Sequence, residues 1–410
     1  MQVVVIGGGL IGLTSAYHLT QDGASVTLVD ARETGRGASE VNAGWVCPAE
    51  SGPVPAPGMV SQALRWMLRR DSPLYVRPTL DPSFVRFMLR MARHCNVADH
   101  RAGAQALIRL SEGTMDHLDA YRDDGLIFEM HADGLLMTFL EAGSMASHLQ
   151  EIDIVESAGL EPEVLEGDAV RDHEPALSDR VHGGVYYPHE RHVDPAGLGR
   201  ALHARCLALG VDIVEGVPIT GVQIDGDRIT AVTGGERRFG GDAFLLAAGA
   251  WSGQLSKAFG FALPVRPGKG YNLDLPAHPL RRPTYLTEAK VAATPLDGRL
   301  RLAGTMDFGA LEEQVDPIRA AAIAAAPGAF LREWEAPSDP EVGAGLRPMT
   351  PDGLPLMGRL GGLQNGYVST GHAMLGLTLA PSSAAAISRL IVRGEETPAV
   401  APFDPARFGR

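Results

Sequence analysis

The sequence predicts a molecule of mixed α/β and α+β class, in which one parallel-sheet domain is assembled from three separated stretches and interleaved with a second domain. Three observations carry that expectation. A strand, glycine turn, helix and strand open the chain; a block with the same alternation recurs in the middle; and a strand feeds a long helix near the C-terminus. At 410 residues the chain is long enough for more than one core. Its 45% hydrophobic content is that of a globular protein, and its 49 glycines and 29 prolines are scattered without a low-complexity tract or a repeat. That excludes fibrous, disordered and solenoid classes.

The first unit carries the most information. Gln2–Ile6 is an apolar, β-branched run that reads as a buried strand. It breaks into Gly7-Gly-Gly-Leu-Ile-Gly12, continues with helical spacing to Gln21, and returns as a second strand, Ser25–Val29, ending in Asp30. Gly-x-Gly-x-x-Gly between a strand and a helix, followed by a strand and an acid, is the dinucleotide-binding fingerprint in its required context. Gly7 permits the tight turn, Gly9 lets backbone approach a pyrophosphate, and Gly12 lets the helix pack on the strand. The helix N-terminus faces the anion, and Asp30 falls where a carboxylate would hold ribose hydroxyls. The domain is therefore expected to be Rossmann-like. After Asp30 the chain stays irregular and rich in small residues through Arg32–Ser39 and Asn42–Trp45, as backbone lying along an extended ligand would.

The second block begins near Val185. Asp194-Pro195 supplies an N-cap and a first helical residue for a helix that stops at Gly210. Strands follow at 211–215, 219–224 and 228–233, the last two joined across Asp225-Gly226, and a buried strand runs from Phe244 to Gly249. In the third block Gly366–Thr370 reads as a strand, and a helix from about Leu375 to Val392 is ended by Gly394. The expected division is 1–45, 182–260 and 341–400 for the discontinuous nucleotide domain, with 46–181 and 261–340 for the second domain. The inserts carry helices such as Ser83–Arg93 and strand-like pieces at 134–139 and 300–303.

Net charge is −13 with no sustained Lys/Arg run, so no nucleic-acid partner is expected. Cys47, Cys95 and Cys206 have neither disulfide-framework nor metal-ligand spacing, so no metal is expected and a reducing, cytoplasmic compartment fits. The apolar N-terminus lacks the basic leading region of a signal peptide. Met59–Arg70, with Trp66, Met67 and Leu68 beside three arginines, reads as an amphipathic helix packed on its own domain. A peripheral contact at the membrane face is the alternative.

Several motifs together resemble the D-amino-acid dehydrogenase branch of the FAD-dependent D-amino-acid oxidase/glycine oxidase superfamily. They are Asn42-Ala-Gly44, Asp71-Ser-Pro-Leu-Tyr75 with Asp81-Pro82, Gly249-Ala-Trp-Ser252 and Pro267-Gly-Lys-Gly-Tyr271. Gly345-Leu-Arg-Pro-Met-Thr-Pro-Asp-Gly353 and Thr370-Gly-His-Ala-Met-Leu-Gly-Leu-Thr378 complete the set, which spans the chain in order. The resemblance implies FAD as cofactor, a substrate domain built on an antiparallel sheet, and oxidation of a small amino-acid substrate. Hydride would pass from Cα to flavin N5, and the imine would hydrolyse to a 2-oxo acid and ammonia. The electron acceptor would be oxygen, a quinone or another carrier. D-amino acids, cyclic ones such as D-proline included, are the first expectation; a glycine/sarcosine-type or other secondary-amine oxidase is the alternative.

The same resemblance places the cofactor. Leu10 and Ile11 would meet the pyrophosphate, and Asp30, Ala31 and Arg32 the ribose. Ala38, Ser39, Asn42, Ala43, Gly44 and Trp45 would run towards the flavin ring. Ile219 would meet adenine, while Ala248, Gly249 and Trp251 would make a second nucleotide turn. Gly371, His372, Met374, Leu375, Gly376, Leu377 and Thr378 would bring amides and a helix N-terminus to the flavin pyrimidine, where reduced flavin carries negative charge. Arg347 is the expected carboxylate anchor, because a guanidinium grips a carboxylate with two parallel hydrogen bonds. His372 would sit beside the flavin and tune its charge, and Tyr271 is expected on the substrate side. Tyr285, Glu288 and Lys290 are candidates for pocket lining. Lys269 is expected to be mainly architectural, and Cys47 to be a small packed thiol. Met374 stands where glycine oxidases carry a second arginine, which predicts a larger and more apolar side-chain pocket.

Overall fold

A computed structural model describes residues 1–67, 69–309 and 311–409. Gln2–Ile6 is the third strand of a six-stranded sheet ordered Asp212–Val214, Ser25–Val29, Gln2–Ile6, Ala243–Leu246, Gly366–Thr370, Leu356–Arg359. The first five run parallel and the last antiparallel. Parallel strands covered on both faces must be apolar throughout, and Val3, Val4 and Val5 are fully buried. Val3 and Val5 pack with Leu13, Leu202 and Ile387 beneath the helices Leu10–Gln21, Pro195–Ala208 and Gly376–Arg393. Val4 and Ile6 point the other way, onto Ile229 and Phe239 of an antiparallel three-stranded layer, Gly221–Asp225, Arg228–Gly234 and Arg237–Gly240. The helix stops follow local chemistry. Asp194 accepts from Gly197 N at 3.0 Å with Pro195 in the first turn, and Gly394, at φ 71°, ends the last helix.

The second sheet has nine strands, ordered Glu341–Met349, Arg266–Pro276, Arg299–Phe308, Val291–Leu296, Thr284–Leu286, Leu135–Phe139, Gly183–Tyr187, Glu163–Glu166, with Leu74–Val76 beside Arg299–Phe308. All its pairings are antiparallel except Thr284–Leu286 with Leu135–Phe139 and Arg299–Phe308 with Leu74–Val76. Two strands that fall within the segments expected for the nucleotide domain belong here instead. The strand near Val185 pairs with Leu135–Phe139 (Met137↔Val185), and Glu341–Met349 pairs with Arg266–Pro276 (Gly268↔Arg347). Apolar alternation announces a strand but not the sheet it joins. The chain thus crosses to the parallel sheet after Val193 and returns to it after Met349.

The amphipathic helix is Met59–Trp66. Met59, Ala63 and Trp66 pack on a cluster of Phe84, Phe87, Met91 and Phe308, while Val60 and Leu64 face outward. Leu68 lies outside the described residues. No described helix is long and apolar enough to cross a membrane.

Candidate active site

A cavity of about 900 Å³ opens between the C-terminal ends of the parallel strands and the nine-stranded sheet. At one end Gly7, Gly9, Leu10 and Ile11 line it. Gly9 starts its helix in extended conformation and offers no side chain as a cap; Leu10 N donates to Ser39 Oγ at 3.0 Å, and the Ile11 and Gly12 amides behind it are left for an anion. Asp30 accepts from Gly8 N at 2.6 Å and Arg32 N at 2.7 Å, which locks its carboxylate at the cavity wall. Ala31, Arg32, Ala38, Ser39, Asn42, Ala43, Trp45, Ile219, Ala248, Gly249 and Trp251 line the same space. Arg32 stacks over the Trp251 ring at 4.8 Å. At the other end the helix Gly376–Arg393 also begins without a side-chain cap, and His372, Met374, Leu375, Gly376, Leu377 and Thr378 line that wall. Two uncapped helix N-termini opening on one elongated cavity fit a ligand anionic at two places, as FAD is at its pyrophosphate and its reduced pyrimidine ring.

Three glycines of the expected set shape this cradle without lining it. A Cβ on Gly12 would fall 1.8 Å from Gly7 O. On Gly44 (φ 91°) it would fall 2.5 Å from Val193 O, and on Gly371 (φ 80°) 2.8 Å from Thr350 Cγ2. The loop between is clamped from the other sheet. Arg301, paired with Asp274 at 2.7 Å, donates to Glu40 O and Asn42 O at 2.9 and 3.0 Å. Thr378 Oγ1 accepts from Cys47 N at 3.1 Å. Burial pushes the Cys47 thiol up, so it stays protonated, as a packed thiol should.

Arg347 extends from the edge strand of the large sheet into the cavity. Among the described residues its one oxygen partner is Thr305 O, which accepts from Nη1 at 2.6 Å, and no carboxylate lies within ion-pairing distance. Desolvation lowers its pKa to about 10, which still leaves it charged at neutral pH. A charged guanidinium with Nη2 and Nε unclaimed is ready for a bidentate anion. Thr305 (φ 66°), Lys290 (φ 55°) and Ala373 (φ 49°) all line this cavity, and strained backbone of that kind collects at functional sites.

The guanidinium lies flat against Gly270, where a Cβ would fall 2.1 Å from Nη1 and 2.2 Å from Cζ. The far end of a flexible side chain moves at little cost to stability. Gly270→Ala is therefore expected to leave Tm within about 2 °C of wild type, yet to raise KM for a carboxylate substrate by about tenfold or more by displacing Arg347. Unchanged KM, measured by steady-state kinetics, would contradict this packing.

Other expectations fall differently. His372 lines the cavity and is buried, with Nε2 3.2 Å from Ser383 Oγ and Nδ1 unpartnered. Burial takes its pKa to about 3, so it is neutral and would act on the flavin as a dipole. Tyr271 does not reach the cavity. Its ring is buried among Leu273, Phe330 and Leu331 in the core of the large sheet, a correction to the substrate-side expectation. A bulge between Lys269 and Tyr271 breaks the alternation from which a facing would be read. Lys269 pairs with Asp307 at 3.7 Å and donates to Gln314 O at 2.8 Å, away from the cavity. Tyr285 and Lys290 line the cavity, whereas Glu288 turns away and accepts from Leu140 N at 3.2 Å.

Sequence reasoning missed Gly270, Thr305, Glu50, His148 and Tyr187, all of which line the cavity. Gly268 and Gly270 on one strand were the available signal, since strand glycines mark close approach of another group. Thr305 acts through its carbonyl, which no side-chain pattern reports. Glu50, His148, Tyr187 and Lys290 add a polar group to a cavity wall that is otherwise largely apolar.

The family model for FAD dependent oxidoreductases matches residues 2–390. The chain belongs to this family. FAD is its cofactor, and the uncapped helices and Asp30 are the residues that would hold it. The FAD-dependent oxidoreductase is 34% identical over 416 residues to a D-amino acid dehydrogenase of Rhizorhabdus wittichii, covering 99% of each chain. It is 33% identical to a D-amino acid dehydrogenase of Cereibacter sphaeroides, covering 95% of this chain and 92% of that one. Among solved structures, glycine oxidase from Geobacillus kaustophilus shares the fold with a TM-score of 0.78 at 20% identity, over 99% of this chain and 98% of that one. L-proline dehydrogenase from P. horikoshii does so with a TM-score of 0.75 at 17% identity, over 99% and 97%.

Proposed function

We propose that this oxidoreductase deaminates D-amino acids oxidatively, with the substrate carboxylate held by Arg347. The observation that carries the reading is a charged guanidinium inside the cavity with no acidic partner among the described residues. The relatives named D-amino acid dehydrogenase support the substrate class. FAD supplies the two-electron acceptor for the Cα hydrogen. Arg347 fixes the carboxylate, and with it the direction in which Cα–H points; Thr305 O and Gly270 fix Arg347. The amine gives up a proton, and the C=N bond left by loss of hydride takes up water to yield a 2-oxo acid and ammonia. Neutral His372 adds no second positive charge to the substrate side. Anaerobic titration of the FAD-loaded protein tests the reading. D-alanine is expected to bleach the flavin with one pyruvate and one ammonia formed per flavin, D-proline to bleach it with one cyclic imine formed per flavin, and L-enantiomers, glycine and N-methylglycine to do so far more slowly. Failure of every D-amino acid to bleach it would end the proposal.

The electron acceptor is proposed to be met at a membrane face. Val60, Leu64 and Met67 are exposed beside Arg65, and Val85 and Leu89 on the helix Pro82–His94 are exposed beside Arg86 and Arg90. Both helices sit on one core cluster, and this arginine-rich apolar region stands out in a chain of net charge −13. Apolar residues with arginines suit an anionic bilayer holding a quinone. Co-sedimentation with phosphatidylglycerol vesicles, abolished by Leu64→Glu with Leu89→Glu and by high salt, is expected; equal recovery of wild type and double variant in the pellet would refute it.

A further inference from the structure

We propose that the cavity holds a second recognition site, formed by Glu50, Lys290, His148 and Tyr187, which receives a substrate side chain ending in an uncharged group that both donates and accepts hydrogen bonds. A carboxamide or a hydroxyl has that chemistry. The inference rests on the amino-acid reading above and specifies the class of side chain.

All four residues line the cavity that contains Arg347, and none takes part in holding the carboxylate. Glu50 ends the short turn Pro48–Glu50, which is fixed from below because buried Glu190 accepts from Ala49 N at 3.0 Å. Its Oε1 lies 3.8 Å from His148 Nε2, and that ring nitrogen lies 2.9 Å from the Tyr187 hydroxyl. Lys290 reaches the same place from a left-handed backbone position and holds its ammonium 5.8 Å from the centre of the Tyr285 ring. Among the described residues no carboxylate lies within 4.0 Å of that ammonium. Tyr285 lines the same cavity and feels the charge of both Glu50 and Arg347, so it lies near both sites.

Burial works against both charges. It pushes the Glu50 carboxyl up and the Lys290 amine down, and their mutual attraction opposes each shift. Glu50 and Lys290 are half-buried and do not contact each other; Tyr187 partners Glu50 on one side, and the remaining acceptor and the ammonium donors face the cavity, where a bound chain without matching groups would desolvate them unpaired. A distal ammonium would meet Lys290 as a like charge. A distal carboxylate would meet Glu50, with Glu151 behind it. An alkyl chain would leave both groups unsatisfied. A group that donates to Glu50 and accepts from Lys290 satisfies both, and Tyr187 and His148 add one adaptable partner each.

The test compares isosteric pairs on FAD-loaded enzyme: D-glutamine against D-homoleucine, D-asparagine against D-leucine and D-serine against D-2-aminobutyrate. D-alanine is the reference in each variant, and flavin reduction is followed anaerobically. Wild type is expected to favour the polar member of each pair in kcat/KM by about tenfold or more, since a polar site rejects a chain lacking its partner group. Glu50→Gln and Lys290→Met are each expected to lower that preference about tenfold, and Lys290→Arg to restore part of it. Unchanged preference in both variants, with D-alanine still reducing the flavin, overturns this site and leaves the amino-acid reading standing. So does a wild-type preference for D-lysine or D-glutamate. No reduction by any D-amino acid overturns both.

Discussion

Arg347→Met is expected to raise KM for D-alanine about 10- to 150-fold, the equivalent of about 1.5–3 kcal/mol of carboxylate binding. Methionine keeps an unbranched apolar stem and removes the guanidinium and its charge. Its neighbours are Thr305 O and Met306 Sδ, so it leaves one backbone carbonyl to re-satisfy and no orphaned acid. A buried cation without an acid partner contributes little to stability and costs desolvation, so Tm is expected to hold or rise as KM climbs. That opposition separates an anchor from a structural arginine. Steady-state kinetics beside a thermal melt reads both, and a large fall in Tm with unchanged KM would assign Arg347 to the scaffold.

Gly12→Ala is expected to cost the protein most of its flavin, leaving below about a tenth of the wild-type FAD content after purification. The new Cβ would lie 1.8 Å from Gly7 O and 2.9 Å from Gly7 C, backbone atoms at the end of the central strand. Neither can yield as a side-chain tip does, so the helix Leu10–Gln21 must lift from the sheet and carry its N-terminus out of line with the pyrophosphate. Gly9→Ala is the control, because its Cβ would touch only Ser39 Oγ at 3.6 Å, an ordinary contact. Its Tm is expected to stay near wild type. The ratio of 450 nm to 280 nm absorbance measures retention, and full flavin in the Gly12→Ala protein would contradict the packing argument.

How legible the molecule was depends on the range of the interaction. Gly12, Asp194-Pro195 and Gly394 act on neighbours a few residues away, and their roles were readable from spacing. Pairing partners lie far off in the chain, so the segments around Val185 and Arg347 were given to the nucleotide domain, although both form strands of the other sheet. Tyr271 was misplaced for a related reason, since a one-residue bulge changes what the strand presents to each side. The anchor was legible because an arginine in Gly-Leu-Arg-Pro is unusual chemistry; its platform, Gly270, and its clamp, Thr305 O, were not, because a missing Cβ and a carbonyl leave little trace in sequence. Glu50, His148 and Tyr187 come from three distant segments and converge only in three dimensions.

The claim on which these points depend is that Arg347 holds a substrate carboxylate at the flavin. Comparing D-alanine with D-alaninamide in anaerobic reduction of the FAD-loaded enzyme tests it most directly, because the amide keeps the reacting Cα–H and amine and removes only the anionic group. Efficient bleaching by D-alanine, with the amide needing at least about tenfold higher concentration, is the predicted result. Equal reduction by both at equal concentration would contradict it.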